Sequence, residues 1–289
     1  MSYNVMQPSK YRGFLRTLLA LAAACVLMIA TGEAESDKVS VPLTDPARPA
    51  IVKVSLLNGS ITVTGYDGKD IVVEARVRGD GESSTHGGMK RVPMTATGLS
   101  VEEENNQVDI GAQSIQRTID LTIQVPRRTS LNLKTVNNGD ISLSGVEGEI
   151  DVNDVNGNVT LKNISGNAVA HALNGRLLVT FDRINPQKAM AFSSLNGDVD
   201  VTFPADLKAN VSMASDRGDV FSDFDIQLET RPPTQTAIQG QRENGRYQVK
   251  VDKTVRGKIN GGGQEIQFKN FNGNIYIRKA GTSAPARAQ

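Results

Sequence analysis

The sequence predicts an all-β chain wound as a β-solenoid, a stack of short glycine-punctuated strands coiling around an apolar interior. Three observations carry this. Between Asn137 and Val179 a glycine returns every nine residues, at Gly139, Gly148, Gly157, Gly166 and Gly175. Apolar residues stand two positions after each glycine (Ile141, Ile150, Val159, Ala168, Leu177) and four positions after (Leu143, Val152, Leu161, Ala170, Val179), with mainly polar Ser142, Asp151 and Thr160 between them. A third apolar residue stands seven positions on, at Val146, Val155, Ile164 and Leu173.

Alternation of this kind turns one face of a strand inward. The glycine falls where the backbone must turn sharply and a Cβ would collide or force a strained φ. The third position separates architectures. In a flat meander a connecting residue is solvated and polar, whereas here it is aliphatic in all four intervals. Corners as well as strands are therefore expected to point inward, two nine-residue units making one coil of about 18 residues. An antiparallel β-sandwich or folded meander is the alternative.

Taken in order, the chain opens with Lys10, Arg12 and Arg16 ahead of the uncharged stretch Thr17–Ala30 and the small residues of "TGEAES". That layout is a secretory signal, expected to span residues 1–34; a membrane span needs about 20 apolar residues. Cys25, the one cysteine, sits inside this signal in "LAAAC", which superficially resembles a lipid-attachment site. Ala22 and the apolar continuation past the cysteine oppose that reading. Without residues 1–34 the chain carries 32 − 3 = 29 basic and 31 − 1 = 30 acidic residues. Such a balance makes no electrostatic case for nucleic acid, and a chain without cysteine has no disulfide or thiol chemistry.

Residues 35–49 read as a polar tether, and 50–279 as the β-strand-repeat domain, with 50–126 as N-terminal strands and cap and 127–279 as repeats. Asn58-Gly59 and Asp67-Gly68 separate alternating runs and mark turns. Residues 80–98 lack periodicity and read as a loop. After Gly175 the period lengthens to Gly197 and Gly218, and the last units are "INGGGQEIQF" and "FNGNIYIR". Residues 280–289 read as a disordered tail. Aromatics are 4% and tryptophan is absent, so the core must be built largely from Val, Ile and Leu.

Three stretches carry a resemblance: "IQVPRRTSLNLKTVNNGDISLSGVEGEIDVNDVNGNVTL", "LNGDVDVTFPADLKANVSMASDRGDV" and "INGGGQEIQFKNFNGNIYIRK". They run from Ile123 to Lys279, and the chain over roughly residues 50–279 resembles the bacterial putative-adhesin β-strand-repeat family, an exported domain of unknown function. The resemblance implies a surface or envelope role and supplies no catalytic residues.

Motifs that suggest chemistry have simpler readings. Asn138-Gly139-Asp140 and Asn196-Gly197-Asp198 raise the question of calcium. The residues after successive glycines, Asp140, Glu149, Asn158, Asn167 and Arg176, do not keep a carboxylate series, so turn chemistry is expected. A glycosidase needs two positioned carboxylates. Asp151 with Asp154, and Asp198 with Asp200, are the candidates, against the plainer reading of a solvated strand face. His86 and His171 form no metal spacing, and His171 reads as a surface residue. Ser83, Ser84 and His86 are neighbours in a loop rather than a triad. "NGGGQ" at 260–264 lacks the Lys-Ser/Thr of a phosphate loop and reads as a turn. Tyr66, Tyr247 and Tyr276 are candidates to stack on sugars if exposed, and alternation places Tyr276 opposite Ile275 and Ile277.

The expectation is a non-catalytic exported protein of the periplasm, envelope or surface, an adhesin-like scaffold with no catalytic residues, cofactor or metal. Its partner would be polysaccharide or another envelope protein. The alternatives are a carbohydrate-active enzyme on a β-helix and a self-assembling envelope element.

Overall fold

In the computed structural model the described residues belong to one compact unit that begins at Ser36. The structure describes residues 36–78, 85–86, 89–90, 96–112, 117–229, 239–243, 246–250 and 254–281. The leader with Cys25, residues Ser83 and Ser84, the side chains of His86 and Tyr247, and the tail from 282 lie outside the described residues.

The described chain is all-β, a β-solenoid whose every coil lays one strand in a front sheet and the next in a back sheet. The register confirms the coil length. Ile141 pairs with Val159, Val159 with Leu177 and Glu147 with Ser165, each a step of 18 residues between parallel strands. The nine-residue repeat is thus half a coil. Every residue two or four positions after the five glycines is buried, from Ile141 to Val179. Below them Phe181, Phe192, Phe203 and Phe268 form a ring cluster, with Phe181 stacked on Phe203 at 5.4 Å and Phe192 on Phe268 at 5.6 Å. Each fully buried aliphatic or aromatic side chain contributes about 1.5–3 kcal/mol.

The third apolar position obeys the expectation at one corner and breaks it at the other. Val146 and Ile164 are buried, whereas Val155 is half-buried and Leu173 is 44% exposed. The reason is the turn. After Leu143 the glycine at 145 takes φ +68°, which brings Val146 back inside. At the opposite corner the strand simply keeps alternating, so Val152 and Asp154 point in while Val155 points out.

Coil order in space departs from chain order at both ends. The coil of residues 50–66 lies between that of 107–126 and that of 129–144. The last coil in sequence, 264–279, inserts between 190–203 and 209–222. Antiparallel strands finish the ends. Ile71–Val77 and Ser36–Val41 cover the back sheet, and Leu99–Glu104 covers the front sheet, at the N-terminal end. Val255–Ile259 and Ile226–Leu228 continue the front sheet at the other.

At the corner after the front sheet, Gly59, Gly139, Gly157, Gly175, Gly197, Gly273 and Gly218 form one column in spatial order. A Cβ on Gly175 would lie 1.8 Å from the carbonyl oxygen of Gly157, a backbone contact that no side-chain movement relieves. Gly148 and Gly166 stack at the other corner, which is why the period is nine rather than 18. Gly261 is the contrast. It has φ +85°, in the turn of the "NGGGQ" segment, with nothing near its missing Cβ.

Gly175→Ala is therefore expected to cost about 3 kcal/mol or more, as overpacking against fixed backbone does. Gly261→Ala should cost only about 1 kcal/mol, for the left-handed φ. Urea unfolding of the two variants in parallel measures the difference.

Candidate functional site

The outer surfaces of the two sheets are where this architecture presents side chains, and the corners are where it uses polar ones internally. On the back sheet, register aligns Thr122, Thr62, Ser142, Thr160, Leu178, Asp200, Tyr276 and Phe221 into one row across adjacent strands. A strand spacing of about 4.8 Å sets the rung height. Ser142, Thr160 and Tyr276, separate in sequence, thus share a row.

That row ends in a built cluster. The Tyr276 ring stacks on Phe221 at 5.3 Å and 13°, and Phe221 is 49% exposed. The Arg278 guanidinium lies 5.1 Å from the Tyr276 centroid. Asp200 is buried beneath two arginines, taking Arg278 Nε on Oδ1 at 2.7 Å and Arg176 Nη2 on Oδ2 at 3.0 Å. Its hydrogen bond with Asp200 raises the pKa of Arg278 above the ordinary arginine value. Two guanidiniums share this carboxylate beside the aromatic pair, and the Asp223 charge also acts on Arg278. Among the residues singled out for chemistry, Asp200 was expected to be solvated and is instead buried and paired.

The proposed carboxylate pairs do not converge. Asp198 Oδ1 accepts the backbone N–H of Asn274 at 2.9 Å, so it belongs to the corner and not to the strand face holding Asp200. Asp151 faces out from the front sheet and accepts Asn132 Nδ2 at 3.2 Å, while Asp154 points into the corner. Two other residues following glycines do the same turn work: Asp140 accepts Asn158 N at 2.7 Å and Asn158 accepts Arg176 N at 3.0 Å. Each caps the next coil. His171 is half-buried and hydrogen-bonded through Nδ1 to Ser193 Oγ at 2.6 Å. Tyr66 gives its hydroxyl proton to the carbonyl of Asp70 at 2.6 Å, closing a turn.

Two ladders had no clear sequence signal. Asn137, Asn156, Asn174, Asn196 and Asn272 form a chain of side-chain amides along the corner, each Nδ2 donating to the preceding Oδ1 at 2.7–3.0 Å. Inside the same corner runs a second column: Thr135, Asp154, Ala172, Ser194 and Asn270. Its donors satisfy glycine carbonyls of the preceding coil. Thr135 Oγ1 donates to Gly59 at 3.0 Å, Ser194 Oγ to Gly175 at 2.9 Å and Asn270 Nδ2 to Gly197 at 2.9 Å.

Asp154 is the misfit of that column. It is 3% exposed, and neither carboxylate oxygen has a hydrogen-bond partner. Burial pushes its pKa up to about 7; the nearby Asn156 N–H, not aligned as a hydrogen bond, pulls it down, and the Asp140 charge adds to the rise. Thr135, Ser194 and Asn270 of the same column are donors to glycine carbonyls, and a protonated carboxyl matches them where a carboxylate does not. Because the folded pKa lies above the unfolded one, the stabilisation is complete below about pH 4. It is lost as pH rises toward 7, by on the order of 4 kcal/mol in all. Asp154→Asn, which keeps a donor and removes the charge, is expected to be more stable than the parent at pH 8. It should also flatten the fall in stability between pH 4 and 7, as denaturant midpoints across that range will show.

Two solved structures show a distant similarity to this chain. One is a putative cell adhesion protein from Clostridium sporogenes, 10% identical, covering 85% of this chain and 100% of its own, with a TM-score of 0.34. The other is a putative adhesin from Bacteroides fragilis, 11% identical, covering 86% and 98%, with a TM-score of 0.37. Among curated proteins none matches the sequence. The Toastrack DUF4097 family matches residues 28–260, the greater part of the repeat architecture described above, and the chain belongs to that family.

Proposed function

We propose that this protein is an exported, non-catalytic interaction module of the cell envelope or surface, and that its back sheet binds a repetitive polysaccharide. The observation that carries this is the row from Thr122 to Phe221. Hydroxyls stand one rung apart at Thr122, Thr62, Ser142 and Thr160, and the row ends in the Tyr276–Phe221 stack with two arginines beside it. Hydroxyl groups exchange hydrogen bonds with sugar hydroxyls, and an aromatic face takes the apolar face of a pyranose. A rigid parallel ladder holds these groups in register without an ordering cost on binding. The leader read in residues 1–34 supports export. The engaged carboxylates at Asp198 and Asp200 support binding without hydrolysis, since a glycosidase needs two free to act on one bond.

A second reading rests on one strand. Val220–Ser222 is the outermost strand of the back sheet among the described residues, and it carries exposed Val220 and Phe221. An open edge of this kind favours end-to-end self-association, which a concentration-dependent mass in sedimentation would reveal.

The test is a panel of envelope and extracellular glycans, with released sugar assayed in the same wells. Binding without release is expected, weakened roughly tenfold by Thr160→Val and by Tyr276→Ala, the equivalent of about 1.4 kcal/mol for each. Release of sugar, or binding indifferent to both variants, would overturn the reading.

A further inference from the structure

The front-sheet corner carries an apolar rail that the glycan reading does not use. Leu57, Val136, Val155, Leu173, Leu195 and Phe271 stand at one position of successive coils, each just before the asparagine of the turn. Leu57, Leu173, Leu195 and Phe271 are 42%, 44%, 40% and 37% exposed. From Val136 to Phe271 the rail climbs four rungs, about 19 Å. Its upper part forms one wall of a groove of about 630 Å³, lined also by His171, Ser193 and Lys269.

What flanks the rail decides what fits it. On one side lies the asparagine ladder, whose amides are hydrogen-bonded to one another. On the other, His171 and Ser193 hydrogen-bond to each other. The backbone beneath is held in the sheet. Asn153, Asp154, Ser194 and Asn270 line the groove as well, the last three buried, so the surface it shows to a ligand is mainly apolar. A peptide or a sugar laid there would lose hydrogen bonds to water without replacement, at a cost, whereas a hydrocarbon chain would lose none.

One end is different. Arg217 lies with its guanidinium 5.3 Å from the Phe271 centroid, and exposed Lys269 lines the groove one residue pair away on the same strand. Neither cation is ion-paired within the described residues. Asp216 lines this end as well and is engaged in an interaction of its own. The neighbouring positive residue on the outward row, Lys134, lies one strand beyond Asn153 and outside the groove's lining.

We propose that this groove is a binding site for a single-chain anionic amphiphile of the fatty-acid type. The acyl chain lies along Leu195, Leu173 and Val155, and the anionic head sits at Lys269 and Arg217.

The probe is dansyl-undecanoate, titrated into the purified full chain below its critical micelle concentration, with the uncharged dansyl-undecanol as its partner. Saturable binding with a blue-shifted emission is expected. Leu173→Ser and Leu195→Ser should each weaken it roughly tenfold, while Val39→Ser, on the exposed strand Ser36–Val41, should leave it unchanged. Lys269→Glu with Arg217→Glu should weaken the carboxylate probe and spare the alcohol. Thermal unfolding checks that the variants are folded, and the exposure of these side chains makes that the expected result. Four outcomes would overturn the proposal. The first two are an absence of saturable binding and rail variants that bind as the parent does. The third is charge reversal that affects both probes alike. The fourth is attachment to phosphatidylglycerol vesicles without uptake of the monomeric probe, which would make the rail a membrane contact.

Discussion

Everything in this molecule depends on parallel strands being brought close enough, at two corners per coil, to hydrogen-bond without interruption. The seven-glycine column at one corner is the limiting contact. Six of the seven sit on the carbonyl of the glycine in the neighbouring coil, Gly59 sits on that of Ile119, and the space for a Cβ is already filled by backbone. A side chain there would not merely strain one turn. It would lift one coil off the next, and the ladder, the aliphatic interior and the surface rows are all set by that same rung height. The column explains why the composition is rich in glycine and why the core manages with so few aromatics.

Close approach of backbone creates a second requirement. The carbonyls at the corner turn inward, away from water, and each needs a donor. Thr135, Ser194 and Asn270 supply one, and the asparagine ladder and the residues following the glycines satisfy the outer side. The polar content of these turns is thus structural. It satisfies the groups that the glycine column buries, and it leaves the calcium-like Asn-Gly-Asp spelling with a complete explanation in hydrogen bonds to the neighbouring coil. Asp154 shows the limit of that design, a residue of the right size whose charge state must change to do the same job.

Much of this was legible in the sequence, because a solenoid writes its geometry into its period. Strict recurrence of Gly139 to Gly175 specified the half-coil, and the alternation of Ile141 with Leu143 specified the inward face. What stayed hidden involves information the period does not hold. Val146 and Val155 occupy the same repeat position, yet one is inside and one outside, because φ at Gly145 differs from the extended path through Asp154. Asp200 read as solvated because its partners, Arg176 and Arg278, lie 24 and 78 residues away. The Tyr276–Phe221 stack and the apolar rail likewise appear only once coils are set side by side. Local spacing predicts what a strand does alone; the surface belongs to the stack.

The order of that stack has a consequence for stability. A simple repeat array is a one-dimensional chain of nearest neighbours, and its ends fray first. Here the coil next to each end comes from a distant part of the sequence. Residues 50–66 are clamped between 107–126 and 129–144, and residues 264–279 between 190–203 and 209–222. Neither terminal coil can therefore reach its final contacts until the inserted coil has formed, and neither can leave without exposing it. The contacts at both ends are long-range, which slows folding, but they also tie the outermost strands to the interior. Such a molecule should melt as one unit where a sequential solenoid of equal length would unzip. The surface rows along it would then keep their register up to the point of global unfolding.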